Sequence, residues 1–272
     1  MKVAIINNSH KKTIEVVEHL KKLLAEKQIT IDEHQPDVVI SVGGDGTLLS
    51  AFHKYEKIVD SVRFIGVHTG HLGFYTDWRN YDIDQMVDAL CTTAPSTSSY
   101  PLLELTLVMD DGRQERFLAL NEASIKRISK TLVANIYIKG ELFENFRGDG
   151  ICVSTPTGST AYSKALGGAV IHPRLKALQM TEIASINNRV FRTIGSPIVI
   201  APDEWITILP NDGHNLILII DGNRIPVDHV NRVIYRISKQ RIHFDKFGHH
   251  HFWSRVGAVS YTHLTLPTNR EV

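Results

Sequence analysis

A single aspartate stands among three glycines in VVISVGGDGTLLSAF, which runs from Val38 to Phe52. The apolar residues before the glycines predict a buried strand, and those after them predict a helix. A turn from a strand into a helix gathers main-chain N–H groups at the positive end of a helix dipole, which favours phosphate. Three roles are open for Asp45: it accepts a proton from an attacking hydroxyl, it holds Mg²⁺ beside phosphate, or it caps the helix.

A second stretch, FRGDGICVSTPTGSTAYSKALGGA, runs from Phe146 to Ala169 and repeats the Gly-Asp-Gly pattern. It continues into a loop of threonine, serine and glycine that opens a helical segment. Hydroxyls and glycines at the start of a helix suit phosphate or ribose, and Tyr162 offers a flat face to a base. The alternatives are a hairpin turn at Asp149-Gly150 and a helix capped by Ser159.

Composition narrows the class of protein. The 272 residues carry 30 Lys plus Arg and 29 Asp plus Glu, and this net charge of +1 argues against a nucleic-acid partner. The two cysteines lack metal-ligand spacing, which favours a reducing compartment. Apolar runs fall short of the ~18 residues of a membrane span, so no membrane partner is expected. We expect a cytoplasmic protein.

The first hundred residues alternate strand and helix patterns, which predicts a parallel sheet with crossover helices. In helix 13–26, an apolar face is predicted for Ile14, Val17, Leu20, Leu23 and Leu24. The predicted strands are 3–6, 37–42 and 63–67, and the other predicted helices are 47–55 and 83–90.

Beyond CTTAPSTSSYP the pattern becomes mostly β. Hairpin signals occur at Asp111-Gly112, residues 211–213 and Asp221-Gly222, and a helical pattern lies between residues 159 and 183. The predicted strands are 102–109, 117–125, 132–138, 198–201, 205–209, 216–220 and 233–244. We therefore predict an α/β domain over 1–100, a β-rich domain over 101–247, a return to the first domain over 248–256, and a mobile tail over 257–272.

Several common motifs are missing. The sequence has no Gly-Lys dipeptide and hence no usual P-loop, and Leu49 stands where a third glycine would complete a dinucleotide fingerprint. His68 and His71 could bind a metal, but the nearby Gly70 and Gly73 favour a tight loop. No metal ligand is assigned.

Four motifs, in this order, make the chain resemble the NAD kinase family. They are GGDGT at 43–47, Asn121-Glu122, GDG at 148–150 and STPTGSTAYS at 154–163. The resemblance extends over residues 1–256 and includes HTGHLGF and ASINNRVFRTIGSPIVI. GGDGT alone is shared with diacylglycerol and sphingosine kinases, whereas the stretch at 154–163 is far more specific.

The resemblance implies a fold, a reaction and partners. An α/β N-terminal domain carrying a parallel, Rossmann-like sheet is followed by a β-rich C-terminal domain. The family transfers the γ-phosphoryl group of ATP, or of polyphosphate in some members, to the adenosine 2′-hydroxyl of NAD, which gives NADP. A divalent ion such as Mg²⁺ is required, and bacterial members self-associate as dimers or tetramers with NAD near a subunit interface.

The resemblance also implies roles for residues. Asp45 matches the proton acceptor, with Gly46 in the same site. Asn121 and Glu122 match residues that hold the adenosine part of NAD, although the residue types alone would favour an exposed strand end. The remaining matches are Thr160, Ala161 and Tyr162 with Ser163 on the adenine side, and Arg147, Asp149 and Ala184 on the nicotinamide side across a subunit boundary.

One position departs from the family pattern. Many members carry a hydroxyl where this chain has Ala165, which puts one polar contact to the ligand in doubt and not the reaction. Two other functions remain open: a lipid kinase of the diacylglycerol type, and a non-catalytic sensor that binds NADP.

Overall fold

A computed structural model describes residues 1–94, 96–189, 192–245 and 252–261. For residues 260 and 261 it describes the main chain only. The chain divides into two compact units, one formed by Met1–Ser99 with Ile242–Val272 and the other by Tyr100–Arg241. None of the helices in the described part of the chain is long and apolar enough to cross a membrane.

The first unit is built on parallel strands. The strands are β1 (Lys2–Asn7), β2 (Thr30–Ile31), β3 (Val38–Gly43), β4 (Arg63–His68) and β5 (Trp78–Arg79), in the order β5-β4-β3-β1-β2. Every neighbouring pair is parallel, as the sequence predicts. The helices are α1 (Lys11–Glu26), α2 (Asp45–Lys54) and α3 (Ile83–Thr92), with a 3₁₀ turn at Glu56–Ile58.

The second unit is antiparallel. Its strands are β6 (Thr97–Met109, which begins in the first unit), β7 (Gln114–Ala119), β8 (Glu122–Arg127), β9 (Leu132–Ile138), β10 (Glu141–Gly148), β11 (Gly150–Ser154), β12 (Leu178–Ile183), β13 (Ile198–Ile200), β14 (Ile206–Pro210), β15 (Leu216–Ile220), β16 (Asn223–Val227) and β17 (Val230–Asp245). One set pairs in the order β10-β9-β14-β17 and another in the order β13-β12-β11-β8-β15-β16. Both sets contribute to one core that includes Ile136, Ile151, Leu218 and Tyr235.

The end of β17 belongs to the first unit, where His243 and Phe244 pair in parallel with β4. Arg63 there donates to both carboxylate oxygens of Asp245, at 2.9 and 3.0 Å. Helix α5 (Phe252–Tyr261) follows and runs into the stretch predicted as a tail. Of the predicted return and tail, residues 248–251 and 262–272 lie outside the described residues.

Of the three hairpins predicted from the sequence, two are confirmed and one is wrong. Asp111-Gly112 joins β6 to β7, and Asp221-Gly222 joins β15 to β16 with positive φ at both residues, 47° and 86°. Residues 211–213 connect β14 to β15, which pair with different neighbours. A turn-type sequence shows where a strand ends, but the next strand need not return beside it.

Two other element predictions are also wrong. The predicted strand 117–125 is two strands, because residues 120–121 separate β7 from β8. The helical pattern between residues 159 and 183 yields only a 3₁₀ turn at Thr157–Thr160 and the four-residue helix α4 (Tyr162–Ala165). Pro156 and the glycines at 167 and 168 limit helical structure in this stretch.

Helix α1 allows a matched test of the first unit's core. Leu20 is fully buried, whereas Ile14 on the same helix is 44% exposed. We expect Leu20→Ala to lower the free energy of unfolding by about 2–5 kcal/mol, because it leaves a cavity. Ile14→Ala should lower it by less than about 1 kcal/mol, since little apolar surface is lost. Urea unfolding measures both, and equal effects would contradict the orientation of this helix.

Candidate active site

Asp45 opens helix α2 but does not cap it. Gly44 is the N-cap residue, and its N–H donates to the Thr47 hydroxyl at 3.4 Å. Asp45 is the first helical residue and is half-buried. The interpretation of Asp45 as a simple helix cap is therefore wrong, because its carboxylate bonds elsewhere.

The carboxylate of Asp45 is held by the loop that follows β4. The main-chain N–H groups of Phe74 and Tyr75 donate to its two oxygens at 2.8 and 3.0 Å. Gly73 lies so close that a Cβ atom there would stand 2.2 Å from Oδ1 of Asp45. Two amide donors to two oxygens fix both the position and the rotation of the carboxylate.

Arg255 holds the same loop from helix α5. Its guanidinium donates to the carbonyl oxygen of Phe74 and to the carboxylate of Asp77, and only 3% of the residue is exposed. Burial lowers the pKa of Arg255 while the charge of Asp45 opposes that shift. The Phe74 residue thus contacts Asp45 through its N–H and Arg255 through its C=O. Sequence reasoning missed Arg255, because no motif or spacing marks it.

The glycines beside Asp45 face open space. A Cβ atom added at Gly44 or Gly46 would meet nothing within 4 Å, so packing within the protein does not explain these residues. A cavity of about 340 Å³ lies here, lined by Ile6, Asn7, Asn8, Gly44, Gly46, Thr47 and Ser50. An open cavity beside glycines at a helix N-terminus suits a phosphate group.

His68 is the last residue of β4 and opens the loop that contains His71. His68 is buried, and its Nδ1 lies 3.0 Å from the carbonyl oxygen of Gly70, which fits the tight-loop alternative. Within the described ranges, the one group of three or more His, Cys, Asp or Glu side chains close enough to share an ion is His214, Asp228 and His229. All three are exposed, and none belongs to the predicted site.

In the second unit, Asn121 directly precedes β8 and Glu122 is its first residue. Each is only 8% exposed, so the alternative of an exposed strand end is wrong. Glu122 lies opposite Ser154 in the antiparallel register between β8 and β11. Its Oε2 atom is buried and has no hydrogen-bond partner within the protein. A buried acceptor without a partner is costly, and a ligand hydroxyl would satisfy it.

The loop after β11 packs directly on this pair. The Thr155 hydroxyl donates to the Leu120 carbonyl oxygen at 2.6 Å, and the Thr155 N–H donates to that of Asn121 at 2.9 Å. A Cβ atom at Gly158 would stand 2.0 Å from the Asn121 carbonyl oxygen. Glycine is therefore required there by close approach, and the hydroxyl-rich loop is placed over the Asn121–Glu122 pair.

The predicted adenine-side residues differ in their surroundings. Thr160, Ala161 and Tyr162 are half-buried, and the N–H of Tyr162 hydrogen-bonds to the Glu122 carboxyl. The Tyr162 hydroxyl accepts from Lys126 Nζ at 2.8 Å. Ser163 is fully buried and accepts from Gln179 at 2.8 Å. Ala165, at the end of α4, is exposed.

The electrostatics of Glu122 are unusual. Burial raises the pKa of its carboxyl group to about 8, and the nearby charge of Asp221 adds to this shift, while the N–H of Tyr162 opposes it. A strongly shifted carboxyl pKa at a buried position is typical of functional sites.

Arg147, Asp149 and Ala184 are brought together at the other end of β11. The Asp149 N–H donates to the Ile183 carbonyl oxygen at 2.9 Å, and the Ile186 N–H donates to that of Arg147 at 2.8 Å. Ala184 adopts a φ of 47° and is exposed. The Asp149-Gly150 hairpin alternative is wrong, because β10 and β11 do not pair with each other.

These features define a class. A glycine turn for phosphate with a fixed carboxylate, and a hydroxyl-rich loop over a buried Asn-Glu pair, are features of a phosphotransferase that acts on a nucleotide. Comparison with known families makes the class specific. Residues 5–94 match the ATP-NAD kinase N-terminal domain and residues 120–245 match the ATP-NAD kinase C-terminal domain. The chain belongs to the ATP-NAD kinase family.

Relatives of known name agree with this assignment. The chain is 67% identical to the NAD kinase of Lactobacillus helveticus over 256 residues, which cover 94% of each chain. It is 54% identical to the NAD kinase of Enterococcus faecalis over 257 residues, or 94% of this chain and 97% of that one. The predicted function, an NAD kinase, is confirmed over the lipid kinase and the sensor.

Solved structures of low identity share the fold. Yeast NADH kinase complexed with NADH has a TM-score of 0.84 at 17% identity and covers 99% of this chain and 90% of its own. An NAD kinase from Archaeoglobus fulgidus in complex with ATP has a TM-score of 0.77 at 23% identity, covering 96% and 99%. The predicted fold class, an α/β unit with a parallel sheet and a β-rich unit, is confirmed.

The contact between Gly73 and Asp45 generates a testable prediction. We expect Gly73→Ala to lower kcat at least about tenfold, because the added methyl group must displace the Asp45 carboxylate from its two amide donors. Gly70→Ala is the matched control in the same loop, where a Cβ atom meets nothing within 4 Å. Equal kcat values for the two variants, measured with NAD and ATP, would contradict the placement of Asp45.

The raised pKa of Glu122 predicts a pH-dependent stability. Between the ordinary carboxyl pKa and about 8, the folded protein binds more protons here than the unfolded chain does, so the free energy of unfolding falls as pH rises. Glu122→Gln should therefore be more stable than the unchanged protein at pH 9, by at least about 1 kcal/mol, and should differ less at pH 5.

Urea unfolding at the two pH values tests this expectation. Glu141→Gln, which alters an exposed carboxyl group on β10, is the control. A Glu122→Gln variant that is less stable than the unchanged protein at pH 9 would contradict the burial of Glu122.

Proposed function

We propose that this protein phosphorylates the adenosine 2′-hydroxyl of NAD with ATP and thereby makes NADP. The bond from the γ-phosphorus to the bridging oxygen of ATP breaks, a bond from that phosphorus to the 2′-oxygen forms, and ADP leaves. The observation that carries the proposal is the Asp45 carboxylate, held by two loop amides beside the open Gly44–Gly46 turn. The 2′-hydroxyl proton passes to this carboxylate.

Residues of the second unit hold NAD in this proposal. The unpartnered Oε2 of Glu122 accepts from ribose hydroxyls, and Asn121 contacts the adenosine. Tyr162, half-buried and fixed by Lys126, offers a face for adenine, with Thr160 and Ala161 beside it. Arg147, Asp149 and Ala184 contact the nicotinamide side. The complex of the yeast relative with NADH supports a dinucleotide as substrate.

The phosphoryl donor is proposed to be ATP with Mg²⁺. The Archaeoglobus fulgidus relative was solved in complex with ATP. The donor set fits an ion carried by nucleotide phosphates, since Asp45 is one carboxylate beside the open cavity lined by Gly44 and Gly46. Mg²⁺ commonly uses one or two carboxylates with phosphate and water. When bound, the ion would neutralise charge on the phosphates.

Self-association completes the proposal. Exposed apolar side chains on the second unit include Leu142, Ile194 and Val199, which are 55%, 49% and 54% exposed. We propose a dimer or tetramer in which Arg147, Asp149 and Ala184 act across a subunit boundary. A cytoplasmic location is proposed with it.

Asp45→Asn tests the central chemical step. We expect kcat to fall at least about a hundredfold with NAD still bound, because a positioned general base contributes ~10²–10⁴-fold. Mass spectrometry of the product should show NAD plus one phosphoryl group for the unchanged protein. Calorimetry with NAD measures binding by the variant, and near-normal turnover would remove Asp45 from the reaction.

Val199→Asp tests self-association. A charge at this exposed position of the edge strand β13 should convert the oligomer to monomers and lower NAD turnover together. Ile31→Asp, on the exposed strand β2 of the first unit, is the control. Sedimentation at the assay concentration measures both, and a fully active monomer would reject the proposal.

A further inference from the structure

The Asp221-Gly222 turn carries a carboxylate with an unusual set of partners. Asp221 is only 9% exposed. Its Oδ2 accepts the N–H of Leu120 at 2.8 Å, and its Oδ1 accepts the N–H groups of Asn121 and Glu122 at 2.7 and 3.2 Å. The Asp221 N–H also donates to the Glu122 carbonyl oxygen at 3.0 Å.

These contacts lie where β7 ends and β8 begins. Main-chain N–H groups at such a break have no sheet partner, and leaving them buried and unbonded costs about 1–3 kcal/mol each. Asp221 satisfies these donors with one side chain. The turn between β15 and β16 therefore fixes the directions in which the Asn121 and Glu122 side chains project from the main chain.

Asp221 also places a negative charge beside a second buried carboxyl group. Both residues are 9% exposed or less, so solvent screens their repulsion weakly. The charge of Asp221 therefore favours the protonated form of Glu122.

We propose that Asp221 is a positioning residue for NAD, which fixes the main chain of the Asn121–Glu122 pair and, through its charge, raises the pH at which NAD affinity changes. This inference rests on the proposed function, in which Glu122 accepts from ribose hydroxyls. Asp221 acts through its two neighbours and need not touch NAD.

The groups around Glu122 set the direction of the effect. Asp221 from the β15–β16 turn and Cys152 from β11 face Glu122, the N–H of Tyr162 donates to it, and Lys126 lies farther along β8. Burial raises the pKa of Glu122 to about 8, with Asp221 the second cause. Burial also raises the pKa of Cys152, so that thiol stays neutral.

The direction in which NAD affinity changes with pH follows from which protonation state of Glu122 accepts hydrogen bonds. Below its pKa the carboxyl group is protonated, and a proton must leave before both oxygens can accept from ribose. The Kd for NAD should therefore fall as pH rises towards about 8 and then level off, by up to about tenfold per pH unit. Removing the charge of Asp221 moves that midpoint to lower pH.

The test is calorimetry of the full chain with NAD between pH 6 and pH 9, without ATP. Turnover of the unchanged protein with NAD, ATP and Mg²⁺ is measured first, and its absence would count against the proposed function alone. Asp221→Asn should shift the midpoint of the NAD affinity profile down by about one pH unit. Asp111→Asn, in the exposed Asp-Gly turn between β6 and β7, should leave the midpoint unchanged.

A second variant keeps the inference testable if Asp221→Asn fails to fold. Glu122→Gln should bind NAD more weakly above pH 8 and should lose the pH dependence, since no proton is released there. An unchanged midpoint in a folded Asp221→Asn, or a profile in the unchanged protein that matches that of Glu122→Gln, would overturn the inference.

Discussion

Hydrogen bonds from main-chain N–H groups to a carboxylate are the interaction on which both parts of the candidate site depend, the surroundings of Asp45 and the Asn121–Glu122 pair. Asp45 is fixed by the amides of Phe74 and Tyr75, and Asp221 by the amides of residues 120–122. In each case a segment without regular pairing gains an acceptor for its buried donors, and a charged acceptor strengthens the bonds roughly twofold. The loop gains a fixed shape, and the side chains it carries gain fixed directions. An Asp45 carboxylate oriented in this way has a fixed position, and position is the first requirement of a general base.

The two units place their carboxylates in different surroundings. Parallel strands in the first unit end near one edge, so the β3–α2 turn and the loop after β4 meet, and Asp45 lies between them. Antiparallel strands in the second unit bury Glu122, and burial raises the pKa of its carboxyl group. The first arrangement suits phosphate, because phosphate binds main-chain N–H groups that no side chain covers. The second suits a ribose diol, because a buried acceptor without a partner discriminates strongly for a ligand that supplies the missing donor.

Much of this organisation could be predicted from the sequence. Alternating strand and helix patterns predicted the parallel sheet, and the Asp-Gly pairs at 111–112 and 221–222 predicted hairpins correctly. Residues 211–213 have the same turn chemistry but connect strands of different sheets, since local preference does not determine which strand pairs next. The partners of Asp45, Glu122 and Ser163 could not be predicted. Phe74 lies 29 residues from Asp45, Arg255 lies 181 residues from Phe74, and Asp221 lies 101 residues from Leu120. Such contacts follow from tertiary packing and leave no periodic signal.

The hydrogen bonds between Asp45 and its loop are tested most directly by NMR of their amide protons. Labelling with ¹⁵N-phenylalanine and ¹⁵N-tyrosine marks 10 and 8 residues, and loss of a signal in Phe74→Leu or Tyr75→Leu assigns each. In the unchanged protein, the Phe74 and Tyr75 amides should resonate downfield and exchange slowly with water. In Asp45→Ala both should move upfield and exchange faster, with the other labelled amides little altered. Unchanged Phe74 and Tyr75 signals in a folded Asp45→Ala would contradict the account of how this carboxylate is positioned.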